Sequence, residues 1–231
     1  MILINQNPTM MKKLIKLSLF GALLGAWSLI IATNHNIKTN YKKTSPIKQK
    51  IHDTTLVKIL DLDSDFVIDV RYATANNFTK QVLYDCNTVW FRQKVATALV
   101  AAHKVFKEKG YRIKIYDGYR PISVQWRLWK ASPKKGYVSH PSRGMRMHNR
   151  GAAIDMTLVD KNGIELDMGT AYDFFGKEAH LNFVHTPKIQ ANRKLLKTVM
   201  EKFGFKAISN EWWHFDYHAM KFNVIDEKMC E

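Results

Sequence analysis

Apolar residues recur along this chain in two rhythms. Between Phe91 and Lys109 they fall at Val95, Leu99, Ala102 and Phe106, the spacing of one helix face, and Gly110 supplies a stop. A second helical stripe, Leu195, Leu196, Val199, Met200 and Phe203, follows a Thr186-Pro187 cap and ends at Gly204. Pro121 suits the first position of a third helix through "ISVQWRLWKA". Elsewhere the rhythm is two. "FVIDVRYAT" (66–74) alternates and is rich in β-branched residues, which predicts a strand. "YRIKIYDGYRP" predicts another, with Tyr111, Ile113 and Ile115 on one face and a closing turn at Asp117-Gly118. In "AAIDMTL" (152–158), Ile154, Met156 and Leu158 take one face and Ala153, Asp155 and Thr157 the other. "WHFDYH" alternates again, with His214, Asp216 and His218 together. Residues 132–152 carry little periodicity and read as a long loop, a feature that often belongs to a site. Helices and strands mix without a regular βαβ order or a glycine-rich phosphate loop, so the pattern predicts an α+β fold.

The first fifty residues follow neither rhythm. Lys12, Lys13 and Lys16 precede an uncharged, largely apolar stretch from Leu17 to Ala32, the layout of a secretory signal. The stretch is slightly long for a signal core and shorter than the ~20 residues of a spanning helix. Residues 1–33 are therefore expected to be a signal peptide or an N-terminal membrane anchor. Residues 34–50, "NHNIKTNYKKTSPIKQK", read as a basic flexible linker. A single folded domain is expected over 51–231, in an exported, periplasmic protein.

Charge changes the picture only after it is located. The net charge is +16, and residues 1–50 hold eight lysines and no carboxylate, so half of it lies outside the expected domain. In the rest, basic residues are scattered rather than clustered with aromatics on one face, which argues against a nucleic-acid partner. An anionic membrane or peptidoglycan surface suits the basic leader equally well. Cys86 and Cys230 form no CxxC pair and cannot build a tetrathiolate site. They could pair in an oxidising compartment, though no spacing rule ties them together.

The chemistry concentrates in two fragments, "MHNRGAAID" (147–155) and "EWWHFDY" (211–217). Asp155 lies mid-strand, where a carboxylate needs a partner. Gly151, Ala152 and Ala153 leave room for the chain to fold back and bring His148 to it. A catalytic zinc site takes three protein ligands and an open position, and His214 is the natural third. Glu211 stands three residues before His214. An ideal strand would send the two to opposite faces, so sharing a site requires a turn or bulge at Trp212-Trp213. Glu211 would then be a general base near the metal without being a ligand.

These fragments resemble those of zinc D-alanyl-D-alanine dipeptidases of the VanX type. "HNRGAAID" fits the H-x-x-G-x-A-x-D signature and "EWWH" the second signature, while "DVRYATANNF" (69–78) and "DGYRP" (117–121) resemble two further segments in the right order. The resemblance spans roughly 55–218. It implies a hedgehog and D-Ala-D-Ala peptidase-like fold, with a central, mainly antiparallel sheet flanked by helices. It also implies one Zn2+ per chain on His148, Asp155 and His214, with Glu211 as base and Arg120 as oxyanion stabiliser. The implied substrate is a small D-amino-acid dipeptide, D-Ala-D-Ala, its free amine bound by Asp173 of "AYDFF" with help from Tyr72. One position departs: Arg146 stands where the family usually has a serine near the substrate carboxylate. Arg146 would either hold that carboxylate more strongly or reshape the pocket. "SHPSRG", a nearby decoy, offers His140 without the matching Gly, Ala and Asp. Two alternatives share the zinc site. One is a D,D-carboxypeptidase or endopeptidase acting on peptidoglycan stem peptides. The other is a non-catalytic zinc module such as the hedgehog signalling domain, for which Glu211 and Arg120 would be superfluous.

Overall fold

The computed structural model describes residues 52–132, 136–143 and 146–230. The expected leader (1–33) and linker (34–50) lie outside the described residues. In chain order the elements are β1 (Leu56–Lys58), β2 (Val67–Ile68), β3 (Trp90–Arg92), α1 (Gln93–Glu108), β4 (Arg112–Asp117), α2 (Ile122–Ala131), β5 (Ala153–Val159), α3 (Pro187–Lys202), β6 (Phe205–Ile208) and β7 (Glu211–Tyr217). The main sheet runs β2-β4-β5-β7-β6, and β1 pairs separately with β3. Only the β2/β4 pair is parallel; the other pairs among the described strands are antiparallel. The fold is α+β, as the residue pattern predicts, with the mainly antiparallel sheet that the resemblance implies.

Cross-strand register sorts the side chains. Ile113, Ile115, Ile154, Met156, Leu158 and Phe215 share one face and are fully buried. Helices α1 and α3 pack against that sheet, on β4 and β6, and against each other. Each such side chain contributes about 1.5–3 kcal/mol by leaving water. Leu158→Ala would cost about 2–5 kcal/mol through the cavity it leaves. The stripe expected on α1 is the one it buries, and the α3 cap forms as expected, Thr186 Oγ1 accepting from the Ile189 amide. The opposite face carries Asp155, His214 and Asp216, where chemistry can be placed without disturbing the apolar layer.

Two expectations need correction. Of residues 66–74 only Val67 and Ile68 are strand, and Arg71–Ala73 form a 3-10 turn. The Tyr72 carbonyl accepts from the amides of Leu83 and Tyr84, so this backbone spends its hydrogen bonds on a neighbouring loop rather than on a ladder. Nor does Asp117-Gly118 close a hairpin. The chain continues into α2, and the antiparallel partner of β4 is the distant β5. Glycine is needed at 118 for close approach: a Cβ there would lie 2.7 Å from Val89 Cγ1 and 3.1 Å from the Trp90 carbonyl oxygen.

Cys86 and Cys230 form a disulfide, which settles the pairing that spacing left open. It ties down the end of a segment without regular secondary structure, whose Asp226 and Ile225 hydrogen-bond to the start of α2 and to the turn before β5.

Candidate active site

Adjacent antiparallel strands supply two of the three expected donors. Asp155 on β5 lies directly opposite His214 on β7. His148 arrives on a 3-10 turn, Met147–Arg150, that ends at Gly151 with φ +67°. A Cβ at 151 would also meet Leu56 Cδ2 at 3.0 Å and the Arg92 amide nitrogen at 3.3 Å, so only glycine lets this turn sit against β1 and β3. The result is a tight triangle. His148 Nε2 lies 3.2 Å from His214 Nδ1 and 3.3 Å from Asp155 Oδ1, and His214 Nδ1 lies 2.9 Å from Asp155 Oδ1.

Each donor is oriented by its outer atom. His148 Nδ1 donates to the Gly118 carbonyl at 2.6 Å, which leaves Nε2 as the inward lone pair. His214 Nε2 donates to Asp216 Oδ1 at 2.8 Å, leaving Nδ1 inward. Asp155 Oδ2 accepts from the Tyr172 hydroxyl at 3.0 Å, leaving Oδ1 inward. Three lone-pair atoms this close repel one another unless a proton or a metal cation lies among them. A tetrahedral ion held at about 2.0–2.1 Å would space its ligands about 3.3–3.4 Å apart, so the triangle suits such an ion after small adjustments. All three residues are buried. Burial alone would raise the Asp155 pKa, yet His148 and His214 hold it far below the ordinary carboxylate range. Burial works against the protonated form of His214, but Asp155 and Asp216 outweigh it and push its pKa up to about 10.

Glu211 stays outside the triangle, its Oε2 4.0 Å from His214 Nδ1. The irregularity expected at Trp212-Trp213 is present. Ala207 pairs with Phe215 while the next residue, Ile208, pairs with Glu211, so β7 spends extra residues there. Burial raises the Glu211 pKa, and the nearby His214 charge partly offsets this. A second irregularity, between Ile115 and Asp117 on β4, sets Asp117 opposite Asp155. Asp117 Oδ2 accepts from Arg120 Nε at 3.0 Å and Nη2 at 2.5 Å, while Gln125 Oε1 accepts from Nη1 at 2.9 Å. That clamp aims the Arg120 guanidinium at the donors, with Nη2 3.9 Å from Asp155 Oδ2. Burial opposes its charge, but Asp117 keeps Arg120 firmly protonated.

A cleft opens over this cluster, lined also by Tyr72, Asp173 and Arg146. The Tyr72 hydroxyl donates to Asp173 Oδ2 at 2.9 Å. Asp173 adopts φ +58°, unusual for a residue other than glycine. Its burial, and the charge of Asp155, raise its pKa well above the ordinary range. Arg146 is exposed and donates to Ser139 Oγ. His140 is not brought to the donors; it bonds Ser142 and packs on Trp126 and Trp129.

A peptidase M15 family model, described as D-ala-D-ala dipeptidase, matches residues 52–229. The chain belongs to this family. It is 38% identical over 166 residues to a D-alanyl-D-alanine dipeptidase of Escherichia coli (strain K12), covering 71% of this chain and 86% of the relative. It is 33% identical over 173 residues to a D-alanyl-D-alanine dipeptidase of Enterococcus faecium, covering 64% and 83%. Among solved structures, a mutant of the vancomycin resistance D,D-pentapeptidase VanY in complex with Zn(II) aligns over 58% of this chain and 76% of its own. That match has 17% identity and a TM-score of 0.37, too loose to bear on this site.

For a member of this peptidase family, the sequence reading left out Asp117, Gln125, Tyr172 and Asp216. Signals existed for two of them. Asp117 lies three residues before Arg120 in "DGYRP", and Asp216 shares the His214 face in an alternating strand. Tyr172 and Gln125 reach the site through a loop and a helix whose placement no local pattern reveals.

Proposed function

We propose that this chain is an exported zinc dipeptidase that hydrolyses D-Ala-D-Ala to two molecules of D-alanine. The observation that carries the proposal is the pre-oriented His148–Asp155–His214 triangle with an uncoordinated acid, Glu211, 4.0 Å from it. These three residues would hold one Zn2+ per chain. When bound there, zinc supplies Lewis acidity, polarising the scissile carbonyl and easing loss of a proton from water at neutral pH.

The remaining work falls to the chain. Glu211 takes the proton from the attacking water, and the elevated pKa that burial gives it suits a group that must later release that proton. As the water oxygen adds to the carbonyl carbon, negative charge grows on the carbonyl oxygen. Arg120, held in a fixed direction by Asp117 and Gln125, stabilises that charge without having to reorganise. The C–N bond then breaks, and Glu211 returns its proton to the leaving nitrogen. Asp173, steadied by Tyr72, is the counter-ion for the free ammonium of the first residue, and Arg146 stands at the mouth as a partner for the terminal carboxylate. A half-buried carboxylate lining the cleft rewards a dipeptide with a free amine over an N-acylated stem peptide, which favours the dipeptidase over a D,D-carboxypeptidase or endopeptidase.

Export is supported by the Cys86–Cys230 disulfide, a bond that persists in oxidising compartments, and by the leader pattern. Association of the basic leader with a membrane or peptidoglycan surface is part of the same proposal. Purified protein should release D-alanine from D-Ala-D-Ala, lose that activity to a chelator and regain it with Zn2+. It should turn over an N-acylated tripeptide ending in D-Ala-D-Ala far more slowly. Equal rates on the two substrates would defeat the dipeptidase assignment.

A further inference from the structure

The residues that follow β7 form no regular element, yet they grip both sides of the site. The Ile225 amide donates to the Asn149 carbonyl at 3.0 Å, and Arg150 Nη1 donates to the Phe222 carbonyl at 2.6 Å, so the turn that carries His148 is held from behind. Asp226 Oδ1 accepts from the Ile122 amide at 3.0 Å, at the start of α2 and two residues beyond Arg120. Between these holds lies Asn149, fully buried, whose Nδ2 donates to the Arg120 carbonyl at 2.8 Å. The Arg120 amide in turn donates to the His148 carbonyl at 3.1 Å. Further along, the Tyr119 hydroxyl accepts from the Glu227 amide at 2.7 Å, Trp90 Nε1 donates to the Met229 carbonyl at 3.0 Å, and Cys230 is bonded to Cys86.

We propose that residues 222–230, locked by the Cys86–Cys230 disulfide, position the donor His148 and the oxyanion partner Arg120, so that full turnover and tight metal retention depend on that bond. A segment without its own ladder opens locally unless tied down. Here, such opening would loosen Asn149 and Ile122 together and with them both groups. The segment touches no reacting atom; it acts through the backbone on which His148 and Arg120 are mounted. The turnover part of this proposal rests on the dipeptidase reading, whereas the metal part does not.

The test uses the full chain, the double variant Cys86→Ser/Cys230→Ser, and Val199→Ala as a core variant of lowered Tm remote from the segment. Well below every Tm, the double variant should release Zn2+ to a chromophoric chelator about tenfold faster, as loss of a ligand's supporting contacts does. Its kcat should fall about tenfold with KM within about twofold, the signature of lost transition-state positioning. Val199→Ala should match wild type in both readouts. Metal release and kcat unchanged in the double variant would overturn the proposal, as would equal losses in Val199→Ala. Asp226→Ala decides the matter if the double variant does not fold. With the disulfide intact, its kcat should drop about threefold at nearly unchanged Tm, and an unaffected kcat would refute the route through Ile122. Wild-type protein inactive on D-Ala-D-Ala would remove the substrate reading but leave the metal-release comparison standing.

Discussion

His148, Asp155 and His214 lie on paired strands or on the turn feeding them, and each has its outer atom tied to a backbone carbonyl, a tyrosine or a carboxylate. Across the cleft, Asp173 lies on an irregular segment and accepts from the Tyr72 hydroxyl, Tyr72 lies on a 3-10 turn and packs against Phe78, Tyr84 and Tyr172, and Arg146 is exposed. Asp173 also carries a left-handed backbone, a strain of about 1–2 kcal/mol for a residue other than glycine. The contrast teaches where rigidity is needed. A metal would tolerate little error in donor placement, and two of the three proposed ligands, Asp155 and His214, are mounted on paired strands. A substrate that must enter and leave can be met by groups on loops, at the cost of strain and of a partly buried charge.

Four substitutions would break or sharpen that contrast. The largest effect belongs to Glu211→Gln, which keeps the size of the side chain and removes the base. Its kcat should fall by about 10²–10⁴, with bound zinc unchanged by metal analysis. Full activity would remove Glu211 from the mechanism. Next, Asp216→Asn should weaken zinc affinity about 10–100-fold in a competition titration, because the His214 ring loses the carboxylate that fixes its tautomer.

Asp173→Asn should leave zinc affinity alone and lower kcat/KM for the free dipeptide about 10–100-fold, the worth of a charge-assisted hydrogen bond of about 1.5–3 kcal/mol. The same variant should be more stable at pH 7. Burial raises the pKa of Asp173 well above 3.8, so the folded protein binds more protons than the unfolded one as pH rises above that value. Stability therefore falls with rising pH through this window, and the loss is present at neutral pH. Asparagine tolerates the same backbone without the charge. Thermal melts should show Tm rising by about 2–4 °C per kcal/mol recovered, and the gap to wild type should close as pH drops toward 4. A Tm below wild type at pH 7 would contradict the buried-charge account. The smallest effect is expected from Arg146→Ser. An exposed ion pair is worth about 0.2–1 kcal/mol, so KM should rise no more than about fivefold with kcat preserved.

Much of the His148–Asp155–His214 half is legible in the sequence. The spacing of His148, Gly151 and Asp155 encodes a tight turn entering a strand, and the three-residue step from Glu211 to His214 demanded an irregularity that β7 contains. The loop-borne half was legible mainly through resemblance to a family, because no periodicity announces where Asp173 or Tyr72 will lie. The strand expected over 66–74 shows the same limit. Its alternation is real, but the Tyr72 carbonyl accepts from the amides of residues 83 and 84, and only the three-dimensional arrangement brings that partner near.

Local sequence determined the three helices and the strands β4, β5 and β7, which of their faces would be apolar, and which side chains had the chemistry to bind a metal. Periodicity and turn geometry act within a few residues, and those are short-range properties. Tertiary structure alone decided that β5 would lie between β4 and β7 with β6 at the edge, that Asp117 would clamp Arg120 beside Asp155, and that Cys230 would close on Cys86 across 144 residues. Such contacts depend on how separate elements pack. Their energy comes from burying surfaces against one another, and no short window of sequence contains both surfaces.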